Sequence, residues 1–385
     1  HTTNGEKFPI QGRSYVNLIG ADRDHTILDA DSTTFLFYGT NSNESYSIKN
    51  MTFFRGASDT LAFLAYKPGI AFNFTHNINI ENILFKRCFG PLPMLMKLHS
   101  TNSYIKDIEL IDCHGPSVSL GYSFISDPPV PTNFRIKNLK ANKNTPYFTG
   151  FEGSGTGLGL IGRLTVPNLF KGSVENMQIT GHISQPDPYW GPRLGVALML
   201  NNNVEVDIVN ATIGHNILRG EEGYAVHLYE GAIMNLYNSI LYADSLYEIV
   251  LGEEFSLSAP VTANICYSNI EGGQRQIYNW YNKHTLNWLE GNIDNDPEWI
   301  GEMPFPYQLR SLSPCINAGT PMYEQGMLPP YIKMEDNKIV LYKIDGDTLH
   351  IPPVDLAGNP RISAGRIDMG AYEFQDTGTY VLPHK

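Results

Sequence analysis

Charge is scarce in this sequence: Asp, Glu, Lys and Arg together make up 17% of it, and the 27 basic residues form no run. A phosphate backbone is bound through clustered Lys and Arg, so a chain with 39 acidic residues and a formal charge of -12 argues against nucleic acid as a partner. Cysteine is scarcer still. The four at positions 88, 113, 266 and 315 make no C-x-x-C and no zinc-like spacing, which indicates neither a disulfide framework nor a metal site and leaves open a bond between Cys88 and Cys113. No apolar stretch approaches the ~18 residues of a membrane-spanning helix. There is no initiating Met and no signal sequence before His1-Thr2-Thr3-Asn4-Gly5, so the chain reads as trimmed at its N-terminus. What is abundant is hydrophobic residue, at 42%, enough for a core and too much for disorder.

Those hydrophobic residues recur in a six-residue signature, apolar-x-Asn-apolar-x-apolar. Its copies begin at Ile48, Ile80, Ile105, Ile136 and Val174, and looser ones at Ile208, Leu236 and Ile265. The starts lie 25 to 38 residues apart, a spread that suits fixed strands joined by elastic loops better than rigid helical repeats. Residues on either side of the Asn are β-formers in period two, and Asn is the residue that bends a chain through the left-handed region at low cost. Stacked at the ~4.8 Å strand spacing, Asn50, Asn82, Asp107, Asn138, Asn176, Asn210 and Asn238 are expected to form a structural ladder of side-chain amides. Two further rungs are expected in Val16-Asn17-Leu18-Ile19-Gly20 and Thr26-Ile27-Leu28-Asp29-Ala30. Eight residues on from each start lie Gly56, Cys88, Cys113, Asn144, His182, Asn216, Asp244 and Gly273, a row predicted to run along one edge. Toward the C-terminus, Lys338 to Leu349 alternates around Asp345-Gly346 and reads as a β-hairpin.

Three elements near the end are specific enough to carry a resemblance. Ser313-Pro314-Cys315-Ile316-Asn317-Ala318-Gly319-Thr320, Asp355-Leu356-Ala357-Gly358-Asn359-Pro360-Arg361 and Ile367-Asp368-Met369-Gly370-Ala371-Tyr372-Glu373 resemble the C-terminal signature of bacterial secreted β-helix proteins of the choice-of-anchor Q type. The opening Phe8-Pro9-Ile10 and Leu18-Ile19-Gly20 are similar to the first rungs of the same proteins. The resemblance implies a pectate-lyase-like fold and export or surface display, and no single activity. Repeat and resemblance together predict an all-β fold: a single-stranded right-handed parallel β-helix of about ten rungs over residues 1–300. They also predict a C-terminal cap over 301–376 with a β-hairpin insertion, and a tail at 377–385. In the tail elements Arg361 and Asp368 read as ion-pair partners serving cap geometry.

Chemistry is harder to find. Arg135-Ile136-Lys137 has the spacing of a glycosidase Arg-x-Lys, but it precedes Gly181-His182 and Gly214-His215, the wrong order, and by alternation both side chains face solvent. Gly153 to Gly159 is glycine-rich like a phosphate loop but lacks the Gly-Lys-Ser/Thr ending. The longest and most aromatic loops leave the edge of the rungs that start at Val174, Ile208 and Leu236. There Asp187, Tyr189, Trp190, Arg193 and Arg219 are the expected ligand-binding residues, since aromatic faces stack on sugar rings and charged groups pair with hydroxyls. Were the protein an enzyme, His182, Glu221, Glu222 and Asp244 would be its proton-transfer groups. The expected activity is non-catalytic binding of an extended polysaccharide or surface glycan by a monomer, the alternative a polysaccharide lyase or glycoside hydrolase. No metal or cofactor is called for, calcium being the one ion such a scaffold could take.

Overall fold

The computed structural model describes residues 7–8, 10–12, 16–31, 36–39, 45–56, 70–75, 77–88, 96–100, 102–113, 118–121, 132–142, 155–162, 170–181, 183–184, 196–218, 224–243, 247–253, 259–363 and 365–375. It is all-β and dominated by two long parallel sheets between which successive strands alternate. The first runs through Ile10–Gln11, Phe37–Gly39, Ile70–Thr75, Met96–Ser100, Val118–Gly121, Gly155–Ile161, Val196–Asn201, Tyr224–Leu228, Tyr247–Leu251 and Ile277–Asn279. The main path of the second runs through Leu18–Ile19, Tyr46–Phe54, Ile78–Lys86, Asn102–Ile111, Thr132–Asn142, Phe170–Thr180, Val204–Gly214, Ile233–Tyr237, Thr262–Cys266 and Thr285–Trp288. Such sheets are compatible with a β-helix, and among the described residues no helix is long and apolar enough to cross a membrane.

The six-residue signature lies in the second sheet, and its form has a local cause. The residue at its third place is in the left-handed region in every copy, with φ between 51° and 57° from Asn50 to Asn238 and 49° at Tyr267. This bend interrupts the alternation, so the inward positions are the first, fourth and sixth rather than every second. Ile48, Met51 and Phe53 are thus fully buried, as are Ile80, Ile83 and Phe85, and Ile105, Ile108 and Leu110. Like stacks on like: the Phe53 and Phe85 rings lie 5.3 Å apart and nearly parallel. These columns share one core with Leu158, Leu198, Val226 and Ile249 of the first sheet.

Side-chain amides link the bends as expected over part of the row. Asn82 donates to Asn50 Oδ1 (3.1 Å), Asn138 to Asp107 Oδ1 (2.6 Å) and Asn176 to Asn138 Oδ1 (3.0 Å). From Asn176 onward the same positions serve the C-terminal segment. Asn210 donates to the carbonyls of Asp368 and Gly370, and Asn238 Oδ1 accepts from the backbone and hydroxyl of Thr320. A second amide ladder, one residue before the signature, runs from Asp207 through Asn235 and Asn264 to Asn287.

Two expectations need correction. Leu18–Ile19 and Ile27–Asp29 are one split rung rather than two, since Leu18 pairs with Ile48 and Ile27 with Thr52 of the same strand. The loop Gly20–Thr26 between them is tied to that strand, Gly20 N donating to the Lys49 carbonyl and Thr52 N to the Thr26 carbonyl. Arg361 forms its ion pair with Glu373 (3.8 Å), while the Asp368 carboxylate accepts from the backbone of Asn317 and Phe374. The hairpin is present, with Lys338–Tyr342 antiparallel to Thr348–Ile351, and a third strand, Tyr331–Glu335, joins it through a two-residue turn at Asp336-Asn337. Both turn residues have positive φ, the mark of the primed turns that suit strand twist.

This small antiparallel sheet and the segments around it lie along the outer face of the second sheet. Ile332, Ile339, Leu341, Ile351, Ile367 and Met369 pack on Val209, Tyr237, Ile240 and Cys266, the outward residues of the later strands. Outward positions of the earlier strands are instead charged and paired, Lys49 to Glu81 (2.8 Å) and Lys106 to Glu81 (3.3 Å). At the boundary Glu175 is fully buried and takes Arg135 through two bonds, Lys137 at 3.5 Å and the Ser173 hydroxyl. Arg135 and Lys137 therefore point outward as alternation requires, but into a buried carboxylate rather than free solvent.

Candidate functional site

His182, Asp187, Tyr189, Trp190, Arg193, Arg219, Glu221, Glu222 and Asp244, the residues singled out from sequence, all lie outside the described residues. The register that grouped two of them, His182 and Asp244, with Asn216 holds in the residues just before, where Thr180 pairs with Gly214 and Gly214 with Tyr242. Of the same row, Asn216 is buried and donates to the Ile179 carbonyl (3.2 Å). Beside it His215 is exposed, with its ring edge-on to Trp299 at 5.2 Å and 5.7 Å from that of Tyr307. Trp299 lies against Gly214, where an added Cβ would come within 2.6 Å of its ring. Three aromatic rings, His215, Trp299 and Tyr307, thus gather on the edge expected to carry a site, two of them contributed from beyond the repeat.

Elsewhere in the row stand Cys88 and Cys113, which like Cys266 and Cys315 are buried free thiols. Cys88 and Cys113 follow the register partners Lys86 and Ile111 and hydrogen-bond each other. That bond holds the Cys88 thiol down, while burial pushes the Cys113 thiol up. Among the described residues no group of three or more His, Cys, Asp or Glu is arranged to hold a metal ion.

The described residues do enclose a cleft that sequence reasoning missed. It has a volume of about 360 Å³ and lies between the outer face of the second sheet and the segment Val354 to Gly358. Its floor comes from two register pairs on adjacent strands, and repeat geometry fixes all four positions. Glu109 pairs with Lys140, both outward-facing, and Asp107 and Asn138 occupy the left-handed bend. Its rim on one side is Arg23, carried there by the loop that splits the first rung. The Thr52 hydroxyl donates to the Arg23 carbonyl (2.8 Å), and the guanidinium reaches Glu109 at 3.4 Å. On the other side Asp355 builds the wall. Its carboxylate accepts from Ala357 N, Asn359 N and Nδ2, and Glu373 N, folding 355–359 into a tight loop with Gly358 at φ 88°. Beyond Lys140, Gln178 is buried and accepts from the Tyr372 hydroxyl.

The charged groups of the cleft are unequally engaged. Asp107 accepts from Asn138 and lies 3.3 Å from Lys106, and Glu109 faces Arg23. Lys140 has its ammonium 4.8 Å from the centre of the Phe305 ring, and among the described residues no carboxylate oxygen lies within ion-pair distance of it. Burial lowers its pKa, against the partial support of Glu109 and Asp355. The cleft therefore offers hydrogen-bond donors and acceptors at fixed positions on an open floor, the surface chemistry that binds hydroxyl-rich molecules.

Compared with known proteins, the chain has no significant match to a family model, a curated protein or a solved structure.

Proposed function

We propose that the protein is a right-handed parallel β-helix, exported or displayed at a cell surface, that holds an extended polysaccharide on the outer face of its second sheet without cleaving it. Alternation of strands between two parallel sheets supports the coil, and its hand follows the general preference of parallel crossover connections. In this reading residues 301–376 act as a cap laid along the flank, and kinship with choice-of-anchor Q proteins rests on the motifs at 313–320, 355–361 and 367–373.

The observation that carries the reading is the cleft. A repeating surface presents polar side chains at the strand spacing, here Asp107 then Asn138 and Glu109 then Lys140, and an extended polymer can meet them in succession. Arg23 and the 354–358 wall turn an otherwise flat sheet into a channel of limited width. Both floor carboxylates already hold a cation or an amide, an arrangement that favours recognition over proton transfer.

A polysaccharide array, paired with assays for new reducing ends and unsaturated products, tests this reading. The wild-type chain is expected to retain at least one extended polysaccharide and release no product. Ala357→Trp, which fills the cleft from its wall, is expected to lose that retention while keeping its thermal unfolding temperature. Absence of any retained polysaccharide overturns the reading. Product release would favour a lyase or glycoside hydrolase using His182, Glu221, Glu222 or Asp244.

A further inference from the structure

The charge inventory of the cleft narrows its ligand, and the inference rests on the reading just given. Three carboxylates line the cleft, and each is occupied: Asp107 by the Asn138 amide and Lys106, Glu109 by Arg23, and Asp355 by four N–H donors of its own loop. Two cations line it as well. Arg23 is committed to Glu109, and among the described residues Lys140 has no carboxylate at ion-pair distance, Glu109 and Asp355 acting on it only from farther off. Its amine is partly buried between the floor and Phe305, where water serves it less well than at an open surface.

We infer that the bound polysaccharide is acidic and that Lys140 receives a sugar carboxylate. A carboxylate at this point would supply the missing counter-charge, and the partly desolvated setting strengthens the resulting charge-assisted hydrogen bonds relative to solvent. A neutral sugar would have to cover the ammonium while leaving its charge unmatched. The negative charge of the chain as a whole, -12, does not oppose this, because within the cleft the anions are already neutralised or hydrogen-bonded. Phe305 adds a constraint of its own: the ring under the amine fixes where the ammonium sits and so selects the sugar position that must carry the acid.

The test uses polymer pairs that share a backbone and differ in charge: carboxymethylcellulose against hydroxyethylcellulose, and alginate against its propylene glycol ester. For at least one pair the acidic member is expected to bind about tenfold or more tighter, the effect of one charge-assisted contact. Lys140→Met, which keeps the apolar stem on Phe305, should abolish the preference, and Lys140→Arg should restore most of it. Equal binding of acidic and neutral members, or a preference that survives Lys140→Met, overturns the inference while leaving polysaccharide binding intact. Failure of every polymer, here and on the array, removes both.

Discussion

The guanidinium of Arg361 donates to the side-chain carbonyl of Asn176, 185 positions away in sequence. Asn176 is itself a bend residue whose amide donates to Asn138 and to the Val354 carbonyl. The amide ladder of the second sheet and the C-terminal segment that walls the cleft are therefore one hydrogen-bonded system, joined at a fully buried arginine. Arg361 also donates to the carbonyls of Gly370 and Ala371 and faces Glu373 at 3.8 Å. Burial, first, and then the nearby Asp368 push the Glu373 carboxyl well above its ordinary range, against the pull of Arg361.

Removing that arginine should be costly. Arg361→Met is expected to destabilise the fold by about 3–5 kcal/mol, because it strands buried acceptors on both the ladder and the C-terminal segment. Equilibrium denaturation of the variant measures this, and a change below about 0.5 kcal/mol, the size of an ordinary surface substitution, would show that the two parts are not coupled through it.

At the bends, the usual ranking of residues should invert. Asn138 has φ 56°, a conformation that costs an ordinary side chain about 1–2 kcal/mol and that asparagine tolerates better than alanine, so Asn138→Ala adds part of that cost to the lost amide bonds to Asp107 and Asn176. Asn138→Gly loses only the bonds. Glycine should be the milder substitution by thermal or chemical unfolding, although inside an ordinary strand it is the worse one.

The one-dimensional part of this architecture was open to sequence reading. Apolar residues at the first, fourth and sixth places of the signature, with Asn or Asp between them, state where the chain turns and which side chains go inward, and the copies from Ile48 through Ile213 follow that rule, while Ser239 and Ser268 take the fourth place in the last two. The hairpin at Lys338 to Leu349 was legible for the same reason, since its turn and alternation are local. Contacts that cross the repeat were not. Nothing in the spacing of Val16 to Ala30 distinguishes two rungs from one split by a loop, and so Arg23 did not appear as a site residue. Nor does Asp355-Leu356-Ala357-Gly358 reveal that it faces Lys140. One signal was available: the position after the signature's first residue is charged at Lys49, Glu81, Lys106, Lys137 and Glu175 and then becomes Val209, Tyr237 and Cys266, marking where another layer covers the outer face.

His227 should make the fold acid-sensitive. It is fully enclosed on the outward side of the first sheet, between Tyr224 and Tyr229, donates from Nε2 to the Gly252 carbonyl, and is held by burial to a pKa of about 4. An unfolded histidine titrates near 6.5, so as pH falls from about 6.5 toward 4 the unfolded chain takes up a proton that the folded chain refuses. The folded state loses up to about 3 kcal/mol across that window and nothing from this group above it. Unfolding free energies at pH 7.5 and 4.5, for wild type and His227→Phe, check this by comparison. The variant should show the shallower decline, and parallel curves would assign the acid sensitivity elsewhere.

Thiol chemistry offers an independent check on the core. Since Cys88, Cys113, Cys266 and Cys315 are all buried, an aromatic disulfide reagent should leave the native protein unmodified and label four thiols once denaturant is added. Rapid labelling of Cys88 or Cys113 in the native state would contradict the packing of those two strands.

The most direct test of the central claim is hydrogen exchange with and without the polysaccharide selected on the array. Binding in the cleft predicts added protection in the Gly20–Thr26 loop, in the strands around Asp107 to Glu109 and Asn138 to Lys140, and in Val354 to Gly358. Protection confined to the turn edge around residues 182–193, 219–222 and 244, with the cleft segments unchanged, would contradict it and return the site to the loops first picked out from sequence.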